Sequence, residues 1–288
     1  MGINEDRLWR TIEELAAITD PASPFSRRSF SELHIAGRAW LREQFIEAGL
    51  NPSLDAAANL TGHVDGSETG LGAIVVGSHS DTVPGGGRFD GIAGVLSGLE
   101  VARSLRDNGV TLRHGFQVVD FLSEEPSAYG MSCVGSRALA GVLNAEHLAF
   151  QEPGGETLGQ AINRMGGDTA KLTGPLRSPG EFAAYVEVHI EQGPVLESRK
   201  IPAGIVTAIV GISRTNIHLI GRADHSGNTP MTMRRDALLG ASRLVVLADQ
   251  EARALNSDDD YFVGTVGQLT VEPNASNIVP GRVSMCLE

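Results

Sequence analysis

Three short apolar runs rich in β-branched residues each end on side chains that bind metals or carry protons, and this pattern constrains the chain more than any other feature. Gly72-Ala-Ile-Val-Val-Gly77 runs into Ser78-His79-Ser80-Asp81. Phe116-Gln-Val-Val-Asp-Phe-Leu122 runs into Ser123-Glu124-Glu125, and Phe182-Ala-Ala-Tyr-Val-Glu-Val-His189 into Ile190-Glu191-Gln192. Runs of this length and composition predict buried strands. Between the first two, Val95, Leu96, Leu99 and Ala102 recur at helical spacing over Ile92–Leu105; Ser136–Leu143 and Thr157–Met165 predict further helices. Strands alternating with helices predict an α/β domain with a largely parallel sheet. Ligands of such sheets bind beyond the carboxyl ends of the strands, so three strands deliver imidazole and carboxylate groups to one edge. Asp90 joins them from the glycine-rich loop Pro84-Gly-Gly-Gly-Arg-Phe-Asp90-Gly91.

Two helices are predicted upstream, one carrying Leu8, Ile12, Leu15 and Ala16, the other Leu33, Trp40, Leu41 and Phe45, with the Pro21–Pro24 stretch between them. The character changes near Gly204. Ile205–Ile220 reads as strand, with Ile217 and Leu219 alternating against Asn216 and His218. Arg234–Leu255 reads as a long helix, and Tyr261–Val271 and Arg282–Leu287 as strands flanking a Pro273–Asn277 turn region. The longest charge block, Asp258–Asp260, predicts a solvated turn. The expected division is 1–207 and 208–288. A β-α-β-β unit calls for another helix and strand to cover its sheet, so the end at Leu287-Glu288 reads as abrupt.

Composition narrows the function classes. Among 288 residues, 35 Asp and Glu against 23 Lys and Arg give a net charge of −12, which argues against nucleic acid and anionic membrane surfaces as partners. No apolar stretch approaches the roughly 20 residues that span a bilayer, and the first 18 residues do not read as a signal peptide. Two cysteines, Cys133 and Cys286, make neither a disulfide framework nor a thiolate zinc site and suit a reducing cytoplasm. The run Gly85-Gly-Gly87 lacks the Lys-Ser/Thr of a phosphate loop, and no Gly-x-Ser-x-Gly elbow occurs.

The remaining chemistry is that of a metal. Neutral imidazole and carboxylate suit zinc, manganese, cobalt or nickel, and a bridging carboxylate is a usual way to hold two ions about 3.5–4 Å apart. Asp90 suits the bridge. Asp81, two residues from His79, is placed to accept from the second imidazole nitrogen. In Glu124-Glu125 one carboxylate can bind metal while its neighbour takes a proton from water. Taken singly, each residue has a plainer reading: His79 and His189 as structural histidines, Asp90 as a helix cap, Glu124-Glu125 as an exposed turn before Pro126. Their shared position at strand ends is what joins them.

Gly77-Ser-His-Ser-Asp-Thr-Val-Pro-Gly-Gly-Gly-Arg-Phe-Asp-Gly91 resembles the metal-binding signature of the amidase/hydantoinase/carbamoylase family, which includes N-carbamoyl-L-amino-acid hydrolases and allantoate amidohydrolases. Phe121-Leu-Ser-Glu-Glu-Pro126, Ser132-Cys-Val-Gly-Ser-Arg137, His189-Ile-Glu-Gln-Gly193, Gly221–Met231 and Asn277-Ile-Val-Pro-Gly281 follow in the family's order. The resemblance implies a mostly parallel-sheet, di-metal aminopeptidase-like catalytic domain with a smaller α+β, ferredoxin-like lid and dimerisation domain. It implies two divalent ions per subunit: His79 and His189 on one, Asp90 bridging, Glu125 on the second. Glu124 would be the general base that takes the proton of a metal-bound water, and Gln192 and Asn277 would contact substrate. His225 would polarise the scissile carbonyl in the partner subunit of a cytoplasmic homodimer. The family also carries a late histidine on the second metal and a substrate-binding arginine, both expected beyond residue 288. On that reading the chain is C-terminally incomplete. The alternatives are a catalytically incomplete metal-binding fragment and a di-metal aminoacylase or aminopeptidase.

Overall fold

The computed structural model describes residues 2–257 and 261–288, so the expected Asp258–Asp260 turn lies outside the described residues. The chain divides into two compact units, Met1–Lys200 and Ile201–Glu288.

In the first unit, α1 (Glu5–Ala16) begins where the Asn4 side chain accepts from Arg7 N, with Glu5 and Asp6 in its first turn. Both features favour a helix start, by satisfying an orphan donor and by complementing the helix dipole. Ser31 does the same for α2 (Glu32–Glu47) through His34 N. Then follow β1 (Asn51–Leu54), β2 (Leu60–Val64), β3 (Ala73–His79), α3 (Ile92–Asp107), β4 (Phe116–Phe121) and α4 (Val134–Leu139). The unit closes with α5 (Ala145–Leu148), α6 (Leu158–Arg164), β5 (Phe182–Val186) and α7 (Val195–Arg199). Leu15, Leu41, Phe45, Val95, Leu99 and Val118 form the main core, fully buried between the helices and the sheet. Arg7 fastens α1 to α3 through two 2.7 Å bonds to the buried Glu100 carboxylate.

The α/β class predicted from the sequence is the class observed, and the sheet is mixed. Among the described residues its order is β1-β2-β4-β3-β5, parallel across β4-β3-β5 and antiparallel across β1-β2-β4. The β1–β2 edge, not expected from the sequence, is antiparallel for a covalent reason. Residues 55–59 join the two strands, and a parallel pair needs a crossover of a dozen or more residues. Asp55 holds that link by accepting from Ala57 N and Asn59 N, both at 2.9 Å.

The second unit contains β6 (Thr215–Ile220), β7 (Asp224–His225), α8 (Ala237–Leu255), β8 (Val266–Glu272), β9 (Ile278–Val279) and β10 (Arg282–Leu287). An antiparallel sheet of order β6-β10-β8 packs Val283 and Met285 against Ala237 and Ala241 of α8. A β7–β9 pair joins His225 to Ile278. Two boundaries differ from expectation. The strand expected from Ile205 begins at Thr215, where Leu287 of β10 supplies a partner; Ile205 and Ile209 upstream are 93% and 91% exposed. The strand expected from Tyr261 begins at Val266, again opposite Leu287, the last residue of β10.

Candidate metal centre

His79 closes β3 and is buried. Its Nδ1 lies 2.9 Å from the carbonyl oxygen of Asp81. A carbonyl only accepts, so Nδ1 carries the proton and Nε2 keeps a free lone pair. His189, three residues beyond β5, repeats the arrangement, with Nδ1 2.9 Å from Ile190 O. The two rings lie 6.0 Å apart between centroids. Asp90 stands between them, with Oδ1 3.3 Å from His189 Nε2.

Donor atoms of His79, Asp90 and His189 all fall within 4.8 Å of one another. Two neutral imidazole nitrogens and a carboxylate, each ring fixed by a backbone acceptor, fit a divalent transition ion. Glu125 lies outside that trio, though close enough for His79, Asp90, Glu124 and Asp81 to affect its charge. Burial pushes the Glu125 carboxyl up to about 7, His79 opposes, and the three neighbouring carboxylates add to the rise. A cation among these acids would reverse the repulsion.

The local chain makes this assembly possible. Asp90 sits just before α3, and Gly91 follows at φ +65°. A Cβ on Gly91 would lie 2.4 Å from the His79 ring, so only glycine lets the loop close over the imidazole. Asp81, expected to accept from the second imidazole nitrogen of His79, does so through its main-chain carbonyl; its carboxylate stands 3.7 Å from Nδ1. That carboxylate instead accepts from Ser29 Oγ at 2.5 Å and from the backbone N–H groups of Glu124 and Glu125, both at 3.2 Å. It therefore pins the β4 exit loop beneath the imidazole.

Glu124 Oε2 lies 3.6 Å from His79 Nε2, and its Oε1 faces Cys133 Sγ at 3.4 Å. Burial and the facing carboxylate push the Cys133 thiol up, so it stays protonated and donates. Gln192 Nε2 lies 2.9 Å from both Asp90 oxygens, so the amide expected on substrate is engaged with the central carboxylate. Glu187 was missed by sequence reasoning. It accepts from Ser78 Oγ at 2.5 Å and faces Tyr185 Oη at 2.7 Å. Its position two residues before His189, on the same strand face by the period of two, was the available clue.

His225 and Asn277 are neighbours in the second unit, where Asn277 O accepts from Ser226 N at 3.0 Å. Gly227 N donates to His225 Nδ1 at 3.1 Å, which leaves the neutral ring's proton on Nε2 as a free donor.

The description "Peptidase family M20/M25/M40" matches residues 75–280, which include every residue of this constellation. The chain belongs to that family. Among its M20 relatives, an N-carbamoyl-L-amino acid amidohydrolase of Geobacillus stearothermophilus is 39% identical over 99% of this chain and 69% of its own length. A ureidoglycolate hydrolase of Oryza sativa subsp. japonica is 35% identical over 97% of this chain and 58% of its own. The crystal structure of a hydantoinase/carbamoylase family amidase from Burkholderia multivorans superposes with a TM-score of 0.83 at 36% identity, covering 99% of this chain and 68% of that one. Among the described residues of this M20 chain, no helix is long and apolar enough to cross a membrane.

Proposed function

We propose that the chain acts as a metal-dependent hydrolase of ureido C–N bonds, on N-carbamoyl-L-amino acids or allantoate-type ureido acids. The observation that carries the reading is the pair of imidazoles whose Nδ1 atoms are each held by a backbone carbonyl, with donor atoms of both rings and of Asp90 within 4.8 Å of one another. The names of the relatives supply the substrate class. His79, Asp90 and His189 would hold one divalent ion, of zinc, manganese, cobalt or nickel, and Asp90 with Glu125 a second. Bound there, such ions supply Lewis-acid polarisation and acidify water.

The chain's own groups do the rest. Glu124, with one oxygen near the His79 ring and the other held by the Cys133 thiol, takes the proton of the attacking water and returns it to the leaving nitrogen. Gln192 orients the Asp90 carboxylate. His225, its proton on Nε2, serves as the donor to the developing oxyanion in the active site of the partner subunit, and Asn277 contacts substrate. Residues 1–207 form the catalytic part and 208–288 the lid and dimerisation part of a cytoplasmic homodimer.

The test is a hydrolysis panel of N-carbamoyl-L-amino acids, allantoate, N-acetyl-amino acids and dipeptides. It is run on chelator-stripped protein resupplied in turn with each of the four ions. Turnover of the ureido compounds supports the reading. Cleavage confined to dipeptides or N-acetyl-amino acids assigns an aminopeptidase or aminoacylase instead, and metal uptake with no turnover assigns a binding role only.

A further inference from the structure

The loop that carries His225 is exposed at His225, Gly227 and Asn228. It closes on itself through His225 O, which accepts from Thr229 N at 3.1 Å and from Asn228 N at 3.3 Å, and through Gly227 N, which donates to His225 Nδ1. These bonds shape the turn and choose the imidazole tautomer. They leave the carbonyls of Ser226 and Thr229 to be met from elsewhere.

Arg234 meets both. Its Nη2 donates to Ser226 O at 2.5 Å and its Nε to Thr229 O at 3.0 Å. Ser226 O and Gly227 N belong to one planar trans peptide, so they point in opposite directions and turn together. The guanidinium therefore grips one side of the peptide group whose other side grips the imidazole. A cationic donor on the carbonyl also polarises that peptide and strengthens the N–H bond on its far side. Ser226 N, in the preceding peptide, donates to Asn277 O at 3.0 Å, so Ser226 is held from both flanks.

Arg234 itself stands on fixed backbone, just after the 3-10 turn Met231–Met233. Arg222 N donates to Arg235 O at 2.8 Å and Arg222 Nη2 to Met233 O at 3.3 Å, while Asp224 takes Nε of the same Arg222 side chain at 2.7 Å. The rigid fork of an arginine spans two carbonyls at once, which the single nitrogen of a lysine does not.

We propose that Arg234 is a positioning residue for His225. Through the Ser226–Gly227 peptide it fixes the direction of the ring and keeps its proton on Nε2, where a developing oxyanion needs a donor. This deepens the hydrolase reading and rests on the role given there to His225.

Nitrogen-15 NMR of the histidine side chains tests the clamp without any substrate. At about pH 8.5, where an ordinary imidazole is neutral, His225 of the parent is expected as a single tautomer protonated on Nε2. In Arg234→Ala its two nitrogen shifts should move towards each other as the tautomers mix, and Arg234→Lys should resemble the alanine variant. Arg234 is only half-buried, and an unchanged signal from His218 within β6, bonded to Ser284 Oγ, shows that the unit stays folded. On ureido substrates Arg234→Ala is expected to lower kcat about tenfold or more with KM little changed, the signature of a misplaced group, and millimolar guanidinium should restore part of it. A parent-like His225 spectrum in Arg234→Ala, full restoration by lysine, or an altered spectrum with unchanged kcat overturns the proposal. Where the parent turns over no ureido compound, the hydrolase reading fails and the spectrum alone still decides the clamp.

Discussion

Ser78 Oγ and Glu187 Oε1 meet at 2.5 Å, one residue before His79 on β3 and two residues before His189 beyond β5. The β3–β5 ladder ends at Val76↔Val186, so this side-chain bond continues the pairing where the backbone no longer does. Tyr185 Oη backs it, 2.7 Å from the other Glu187 oxygen and 3.1 Å from Gly77 O.

Glu187→Gln is therefore expected to weaken divalent-metal binding about tenfold or more, the usual effect of losing an outer support of a metal site. Chelator competition measures it, and faster amide exchange over residues 187–190 should accompany it. Unchanged affinity and exchange would show that the clamp does not hold the histidines.

Glu124→Gln is expected to lower kcat at least about 100-fold, within the range attributed to a positioned acid–base group, while metal content stays as in the parent. Steady-state kinetics beside elemental analysis decides it. An active variant would remove Glu124 from the reaction.

Gly91→Ala places a methyl group on the His79 ring in a left-handed backbone position. It is expected to destabilise the fold by about 1 kcal/mol or more and to abolish high-affinity metal uptake. Urea unfolding and metal titration read the two effects separately.

Asp81→Asn removes one of the acceptors that fix the Glu124-Glu125 loop and Ser29. Because Asp81 is fully buried, the expected loss is about 1–3 kcal/mol, measured by denaturant unfolding. Stability equal to the parent's would mean that the loop holds without this anchor.

Glu156 supplies a pH dependence remote from the metal centre. Arg164 first, and then the Tyr129 hydroxyl, hold its carboxyl at about 2, against an ordinary 4.5. Unfolding returns it to the ordinary value, so the unfolded chain binds the extra proton. The contribution is complete above about 4.5 and is lost as pH falls through about 2. The melting temperature of the parent should fall more steeply over that window than that of Glu156→Gln; identical slopes would refute the assignment.

The strands carrying the centre were legible because β3 and β4 are continuous β-branched runs buried on both faces. His79 was legible because it closes such a run and Asp90 because it precedes the helix that follows; His189 was marked by the apolar run of β5, which the structure leaves largely exposed rather than buried. The β1–β2 edge was not. Asn51-Pro-Ser-Leu54 is short, contains a proline and is largely exposed, so it carries neither apolar periodicity nor strand composition. Clamping by Glu187, and Gln192 turning onto Asp90, were equally hidden. Both depend on side-chain directions set by contacts distant in sequence, at 109 and 102 residues. Asp81 shows the intermediate case: its proximity to His79 followed from spacing, but which of its oxygens meets the ring followed from the turn.

Both imidazoles are aimed by main-chain oxygens, those of Asp81 and Ile190. Peptide carbonyls do not ionise in the working pH range and are not deleted by point substitution. The coordinating face of each ring is thereby insulated from changes in nearby side chains, and evolution is free to redraw the surrounding cleft for a new substrate without re-teaching two histidines where to look.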